Sequence, residues 1–237
     1  MASRLTSAAT IAAAPKTVSQ TASPVLPQPT SLPPAYWAQA CLELGQADAV
    51  MAGLIMQARD RGHLMSRGDP FATLARSIVG QQISVKAAAS VWARFEKAAR
   101  TVQPERVARM RLTTLAGAGL SGRKAEYLRD LAVHFVNGTV DPTHWPSQPD
   151  EAIIAELVQV RGIGRWTAEM FLMFNLMRPD VLPLDDLGLL KAVALHYNGG
   201  QTLARRQVEQ VAEAWRPWRT VATWMLWRSL DPVPVAY

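Results

Sequence analysis

Apolar residues recur at helical spacing along the chain from Tyr36 onward, and nowhere do they alternate as a pair of strands requires. Phe71, Leu74, Ala75, Ile78 and Val79 set the pattern at i, i+3, i+4, i+7 and i+8, the stripe by which a helix faces a core. The same reading predicts helices over 85–99, 104–116, 121–137, 150–160, 165–177, 186–197, 204–214 and 217–229, with Gly, Pro and Asn between them. A chain that can bury stripes but no sheet face folds as an all-α protein, here in two helical lobes divided near the loop 138–149 and flanking a cleft.

Composition bounds what such a fold can do. With 49% hydrophobic and 19% charged residues, the segment 36–237 can build a core without metal or disulfide support. Residues 1–35 are mostly Ala, Ser, Thr and Pro without apolar period, and are expected to form a disordered low-complexity tail. Pro15, Pro24, Pro27 and Pro29 interrupt the amphipathic start that an organellar transit peptide needs. Cys41 is the sole cysteine, which excludes an internal disulfide, a Cys-rich zinc site and a four-cysteine iron–sulfur cluster, and suits a reducing cytoplasm. No apolar run is long enough to span a membrane. The formal charge of +6 admits an anionic partner, but two basic residues and no acid fall in the tail, so the remainder carries only +4. Specificity must come from particular residues.

The first of these lie at a turn. Ser147-Gln-Pro-Asp150 has capping-box spacing ahead of Ile154, Leu157 and Val158, so a helix is predicted to run to Val160 and stop at Arg161-Gly-Ile-Gly164. Two glycines around one apolar residue permit positive φ and leave amide N–H groups free at the start of the next helix, which is how backbone cradles a phosphate. An ordinary helix C-cap has the same composition, so the turn alone decides nothing.

The second group is Val181-Leu-Pro-Leu-Asp-Asp-Leu-Gly-Leu189, in which paired acids open a helix. Helix capping is the ordinary use of such acids. Further on, Trp215-Arg-Pro-Trp-Arg-Thr-Val-Ala-Thr-Trp-Met-Leu-Trp227 holds four of the eight tryptophans, for which core packing is the ordinary use.

Order and spacing join the two groups. Leu157-Val-Gln-Val-Arg-Gly-Ile-Gly-Arg-Trp-Thr-Ala168, with Asp186 placed 20 residues after Trp166, resembles the helix-hairpin-helix (HhH-GPD) DNA glycosylases, and within them the alkylpurine branch typified by DNA-3-methyladenine glycosylase II. The resemblance extends over roughly residues 50–230. It implies a cleft that binds double-stranded DNA, with Asp186 as catalytic carboxylate and Asp185 in support. Gly162, Ile163, Gly164, Arg165 and Thr167 would grip a phosphate, Ile163 plugging the hairpin, and the carbonyls of Val160 and Gly162 would hold Na⁺ or K⁺. Trp166 stands where relatives that also cut the backbone carry a lysine, so the resemblance implies a monofunctional enzyme that uses water as nucleophile. Trp166 and Trp227 would wall the base pocket, with Met170 where some relatives have tyrosine, and Trp215 and Trp218 would be structural.

Two more segments follow the family. Ser77-Ile-Val-Gly-Gln-Gln-Ile-Ser84 matches the stretch that supplies a wedge, placing Gln82 in the vacated duplex position with Gln81 beside it. Gly119-Leu-Ser-Gly-Arg-Lys-Ala125 puts Arg123 and Lys124 near phosphate or on a solvated face. The expected substrates are alkylated purines of the 3-methyladenine and 7-methylguanine type. No cofactor is implied, and a monomer at the nucleoid of a bacterial-type cytoplasm is expected.

Three other readings stay open on the residues alone. A bifunctional oxidised-base glycosylase and lyase would form a borohydride-trappable DNA adduct. A non-catalytic DNA-binding hairpin would release no base. A helical scaffold for protein partners would leave the Gly-Ile-Gly turn and the paired acids without a use.

Overall fold

The computed structural model describes residues 32–230. The expected tail therefore lies outside the described residues except for 32–35. Among the described residues the regular structure is helical, in the order α1 (Trp37–Ala47), α2 (Ala49–Gln57), α3 (Pro70–Gly80), α4 (Val85–Ala99), α5 (Pro104–Ala108), α6 (Leu112–Gly117), α7 (Gly122–Val136), α8 (Asp150–Leu157), α9 (Arg165–Phe174), α10 (Leu187–Tyr197), α11 (Arg205–Ala212) and α12 (Arg219–Leu230).

Local chemistry starts these helices and burial keeps them. In α3 the Asp69 carboxylate accepts from Ala72 N at 2.7 Å and Pro70 occupies the first turn, while the stripe Phe71, Leu74, Ala75, Ile78 and Val79 is buried. A cap of this kind contributes about 1 kcal/mol. Each large apolar side chain of the stripe adds roughly 1.5–3 kcal/mol, so packing rather than capping dominates.

Two apolar cores result, and they make the two lobes. The first gathers residues from Phe71 to Val181 together with Trp227; the second joins Ala40 to Leu64 with Leu189 to Leu226. The chain thus begins the second lobe, builds the first except for Trp227, and returns. Asp48 ties the return to the start: its Oδ1 caps α2 through Val50 N and Met51 N, and its Oδ2 accepts from Tyr197 Oη at 2.7 Å and Trp215 Nε1 at 3.1 Å.

Three local expectations are corrected. The loop 138–149 does not divide the lobes, because Trp145 is buried in the first core, its ring edge-on to Phe135 and Phe171 and its Nε1 donating to Glu156 at 2.8 Å. Ser147 does not cap α8. It lies in a 3₁₀ turn with its hydroxyl on His144 O, and Pro149 precedes the helix without a side-chain cap. The stretch 104–116 is two short helices, because Arg109–Arg111 leaves helical geometry between them.

Candidate active site

Residues of α9, α10 and α12 converge on Asp186 where the two apolar cores meet. Ahead of α10, the loop from Asp180 is fixed by long-range bonds: Arg219 and Arg216 hold the Asp180 carboxylate, and Val181 N donates to Thr220 Oγ1 at 3.0 Å. The loop therefore delivers Asp186 to one place. There the side chain is buried, 6% exposed, and its Oδ1 accepts from Leu189 N at 2.7 Å, so it caps α10 as the ordinary reading of the sequence requires.

Capping is only part of its bonding. Trp227 Nε1 donates to Oδ1 at 2.8 Å and Trp166 Nε1 donates to Oδ2 at 3.0 Å. An ionised carboxylate is acceptor-only, with about two lone-pair sites on each oxygen. Oδ1 thus has both sites filled and Oδ2 has one left. The open site is beside Trp166, which is 36% exposed, whereas Trp227 is 5% exposed.

Gly188 packs directly against this clamp. A Cβ there would sit 3.1 Å from Asp186 Oδ1 and 3.1 Å from Trp227 Cδ1, so the carboxylate or the indole would have to give by a few tenths of an ångström. The aromatic surface continues beyond Trp227: Phe174 stacks on it with centroids 6.0 Å apart, and the Arg67 guanidinium lies 5.4 Å from the Phe174 centroid. Gly188, Phe174 and Arg67 had no sequence signal strong enough to single them out, although Gly188 directly follows the Asp-Asp-Leu step.

Of the other expected residues, the structure places Trp166 and Trp227 on Asp186, and Met170 buried one turn beyond Trp166. Asp185 is not brought there. Its carboxylate is half exposed and pairs with Arg205 Nη1 at 2.8 Å, because adjacent positions at a helix start point to different sides.

The hairpin takes the expected shape. Gly162 has φ +88°, and a Cβ on it would lie 2.2 Å from the Tyr127 ring, so both conformation and space demand glycine. Ile163 is buried as a plug. Gly164 begins α9 with no side-chain cap, which leaves the first amides of that helix for a ligand. The Arg165 side chain does not join them, because Glu151 and Glu169 hold its guanidinium, and Thr167 is buried. A hollow of about 490 Å³ on that side, bordered by Glu151, Glu169, Asp180, Arg216 and Arg219, is lined by these ion pairs and not by Asp186.

One further expectation changes. The Lys124 ammonium does not face phosphate; it donates to Val79 O at 2.8 Å and to Gln81 O, where the end of α3 presents unpaired carbonyls. Arg123 is exposed. Of the carbonyls expected to hold a cation, that of Gly162 accepts from Gln81 Nε2 at 2.8 Å and that of Val160 accepts from Ile163 N. Each carbonyl has two lone pairs, so one acceptor site remains on each oxygen. Gln82 is exposed at the tip of the α3–α4 loop with φ +59°.

A model described as HhH-GPD superfamily base excision DNA repair protein matches residues 75–217 of this chain. The chain belongs to that superfamily. Within it, DNA-3-methyladenine glycosylase 1 of Schizosaccharomyces pombe is 32% identical over 170 residues, covering 70% of this chain and 74% of that protein. The DNA-3-methyladenine glycosidase of Bacillus halodurans is 34% identical with a TM-score of 0.74, covering 80% of this chain and 88% of that one. The S. pombe 3-methyladenine DNA glycosylase in complex with abasic DNA gives a TM-score of 0.70 at 28% identity, covering 81% of this chain and 96% of that one. The HhH-GPD match includes the hairpin, Asp186 and the wedge-loop segment, and stops short of Trp227.

Proposed function

We propose that this chain is a monofunctional DNA glycosylase of base excision repair, acting as a monomer on alkylated purines in double-stranded DNA, with Asp186 as its catalytic carboxylate. The observation that carries the reading is the clamped acid: one carboxylate, fixed by three N–H donors, with a single oxygen site open toward a partly exposed tryptophan.

The chemistry follows from that geometry. When the bond between the purine nitrogen and C1′ breaks, its electron pair leaves with the base and positive charge develops on the sugar. A fixed anion in a water-poor cleft stabilises that charge far more than bulk water does, because it needs no reorganisation. Water then bonds to C1′ and gives up a proton, with Oδ2 of Asp186 the nearest open acceptor, and the sugar is left as an abasic site. A purine alkylated at N3 or N7 is already cationic, so no acid is needed to protonate the leaving base, and aromatic faces such as Trp166 attract it.

Three lines support hydrolysis over lyase chemistry. Trp166 cannot form a Schiff base. Lys86, Lys97 and Lys191 are exposed, and Lys124 is held by main-chain carbonyls, so none of the described lysines shares Asp186's hydrogen bonds. Relatives named as DNA-3-methyladenine glycosylases match most of the chain. The amides at the start of α9 would take a phosphate beside the lesion, and Gln82 would fill the gap left by the flipped base. Among the described residues no helix is long and apolar enough to cross a membrane, and a nucleoid-associated enzyme of a reducing cytoplasm accords with the DNA substrate.

The test is release of free base. Incubation with methylated duplex DNA should liberate 3-methyladenine or 7-methylguanine and leave intact strands with abasic sites. A borohydride-trapped covalent adduct, or no free base at all, would overturn the reading.

A further inference from the structure

The wedge loop is held on its α3 side by Lys124, a residue expected near phosphate, and by the side chain of Gln81. Gln82 sits at its tip with φ +59°, a conformation that a non-glycine residue keeps only when its surroundings impose it. Immediately before it, the last carbonyls of α3 at Val79 and Gln81 converge on the Lys124 ammonium, and the Gln81 side chain crosses to Gly162 O in the hairpin. Lys124, Gln81 and Gln82 also border a hollow of about 320 Å³ floored by Val79, Val91 and Leu120. The loop therefore overhangs space on one side and has few apolar contacts of its own to set its course.

We propose that Lys124 is a positioning residue for base flipping: through the carbonyls of Val79 and Gln81 it fixes the wedge at Gln82, and through the Gln81 amide it couples that wedge to the phosphate-gripping hairpin at Gly162. The inference rests on the glycosylase reading above. Its physical basis is that three groups far apart in sequence, Lys124, Gln81 and Gly162, form one continuous strut of hydrogen bonds. The two anchored points, the Gln81 backbone and the Gly162 carbonyl, flank the segments that would contact the duplex at the vacated base and at the neighbouring phosphate. A charge placed at the carbonyl end of α3 is favourable in itself. Burial pushes the Lys124 amine below its ordinary value, so the ammonium is kept there at an electrostatic cost. A cap serving α3 alone would not require the link on to the hairpin.

Two substrates separate positioning from mere stability. Single-turnover release of 7-methylguanine is measured from a duplex with the lesion opposite cytosine, where flipping must break a pair, and from one with the lesion opposite a tetrahydrofuran gap, where little flipping work remains. For Lys124→Met, and independently for Gln81→Ala, the ratio of paired to gapped rates should fall at least about tenfold, and the double variant should be no worse than Lys124→Met alone, as expected of groups acting as one unit. In parallel, 2-aminopurine beside a tetrahydrofuran abasic site should brighten when wild-type protein binds and brighten less with either variant. An unchanged ratio with unchanged fluorescence, even alongside a lower melting temperature, would overturn the proposal and leave the glycosylase reading standing. A wild-type protein that releases base from neither duplex would overturn the glycosylase reading, and the fluorescence would still decide the strut.

Discussion

The indole N–H of Trp227 donates to Asp186 Oδ1 at 2.8 Å, so a tryptophan that could serve as a wall of the base pocket also orients the acid. Trp227→Phe keeps most of the apolar ring and removes that donor. A hydrogen bond to a charged group is worth about 1.5–3 kcal/mol. Expressed in the transition state, that loss slows single-turnover base release by about tenfold to a hundredfold. Binding to abasic DNA should change much less. Rates within threefold of wild type would show that the indole N–H does not orient the acid.

Gly188→Ala tests the same geometry from the other side. Alanine in a helix is favoured over glycine by about 1 kcal/mol, which offsets some of the crowding from the new Cβ. That Cβ would lie 3.1 Å from both Asp186 Oδ1 and Trp227 Cδ1. Unfolding free energy should therefore move by less than about 1 kcal/mol, while base release falls by about tenfold or more because the acid is displaced. Chemical denaturation and single-turnover kinetics on one preparation check both halves.

Asp185 should behave differently from its neighbour. It is half exposed and paired with Arg205, and surface pairs of this kind contribute about 0–1 kcal/mol. Asp185→Asn should leave base release within about threefold and stability within about 1 kcal/mol. A loss comparable to that of a change at Asp186 would restore Asp185 to the catalytic machinery.

Glu169 gives a pH signature in stability. Burial raises its carboxyl above the ordinary range, against the opposing pull of Arg165. With the folded value above the unfolded one, the native state binds more protons in the interval between them, so this group's contribution is fully present below the unfolded value and is lost as pH rises through the folded one. The stability of wild type relative to Glu169→Gln should fall as pH rises from about 4 toward neutrality. Urea denaturation of both proteins over that range provides the measurement. A relative stability that climbs with pH would mean that the ion pair with Arg165 outweighs burial.

Much of this was legible in the sequence, for a physical reason. Helical stripes, the Gly-Ile-Gly turn and the paired acids are local patterns, and local patterns survive without knowledge of tertiary contacts. Asp186 was readable because capping and catalysis ask for the same residue at the same helix start, so neither use excludes the other. What could not be read was set by long-range partners. Gly162 is required by a ring on α7, Gly188 packs against an indole on α12, and the Lys124 ammonium is held by carbonyls 43 and 45 residues away. The loop 138–149 looked like a boundary because Gly138, Pro142 and Pro146 punctuate it, yet Trp145 supplies the apolar surface that draws it into the first core.

The catalytic role of the carboxylate is tested most directly by Asp186→Asn, with release of free base from methylated duplex DNA and affinity for abasic-site DNA measured on the same protein. Asparagine can keep the cap to Leu189 N through its carbonyl oxygen and retains the side-chain shape, but it removes the charge and replaces the oxygen that accepts from Trp166 Nε1 with an amide N–H₂. Loss of preorganised electrostatic stabilisation predicts base release slower by at least about 10²–10³-fold, with abasic-site affinity within a few fold of wild type. Release within threefold of wild type, or equal loss of binding and release, would contradict the central role of that carboxylate.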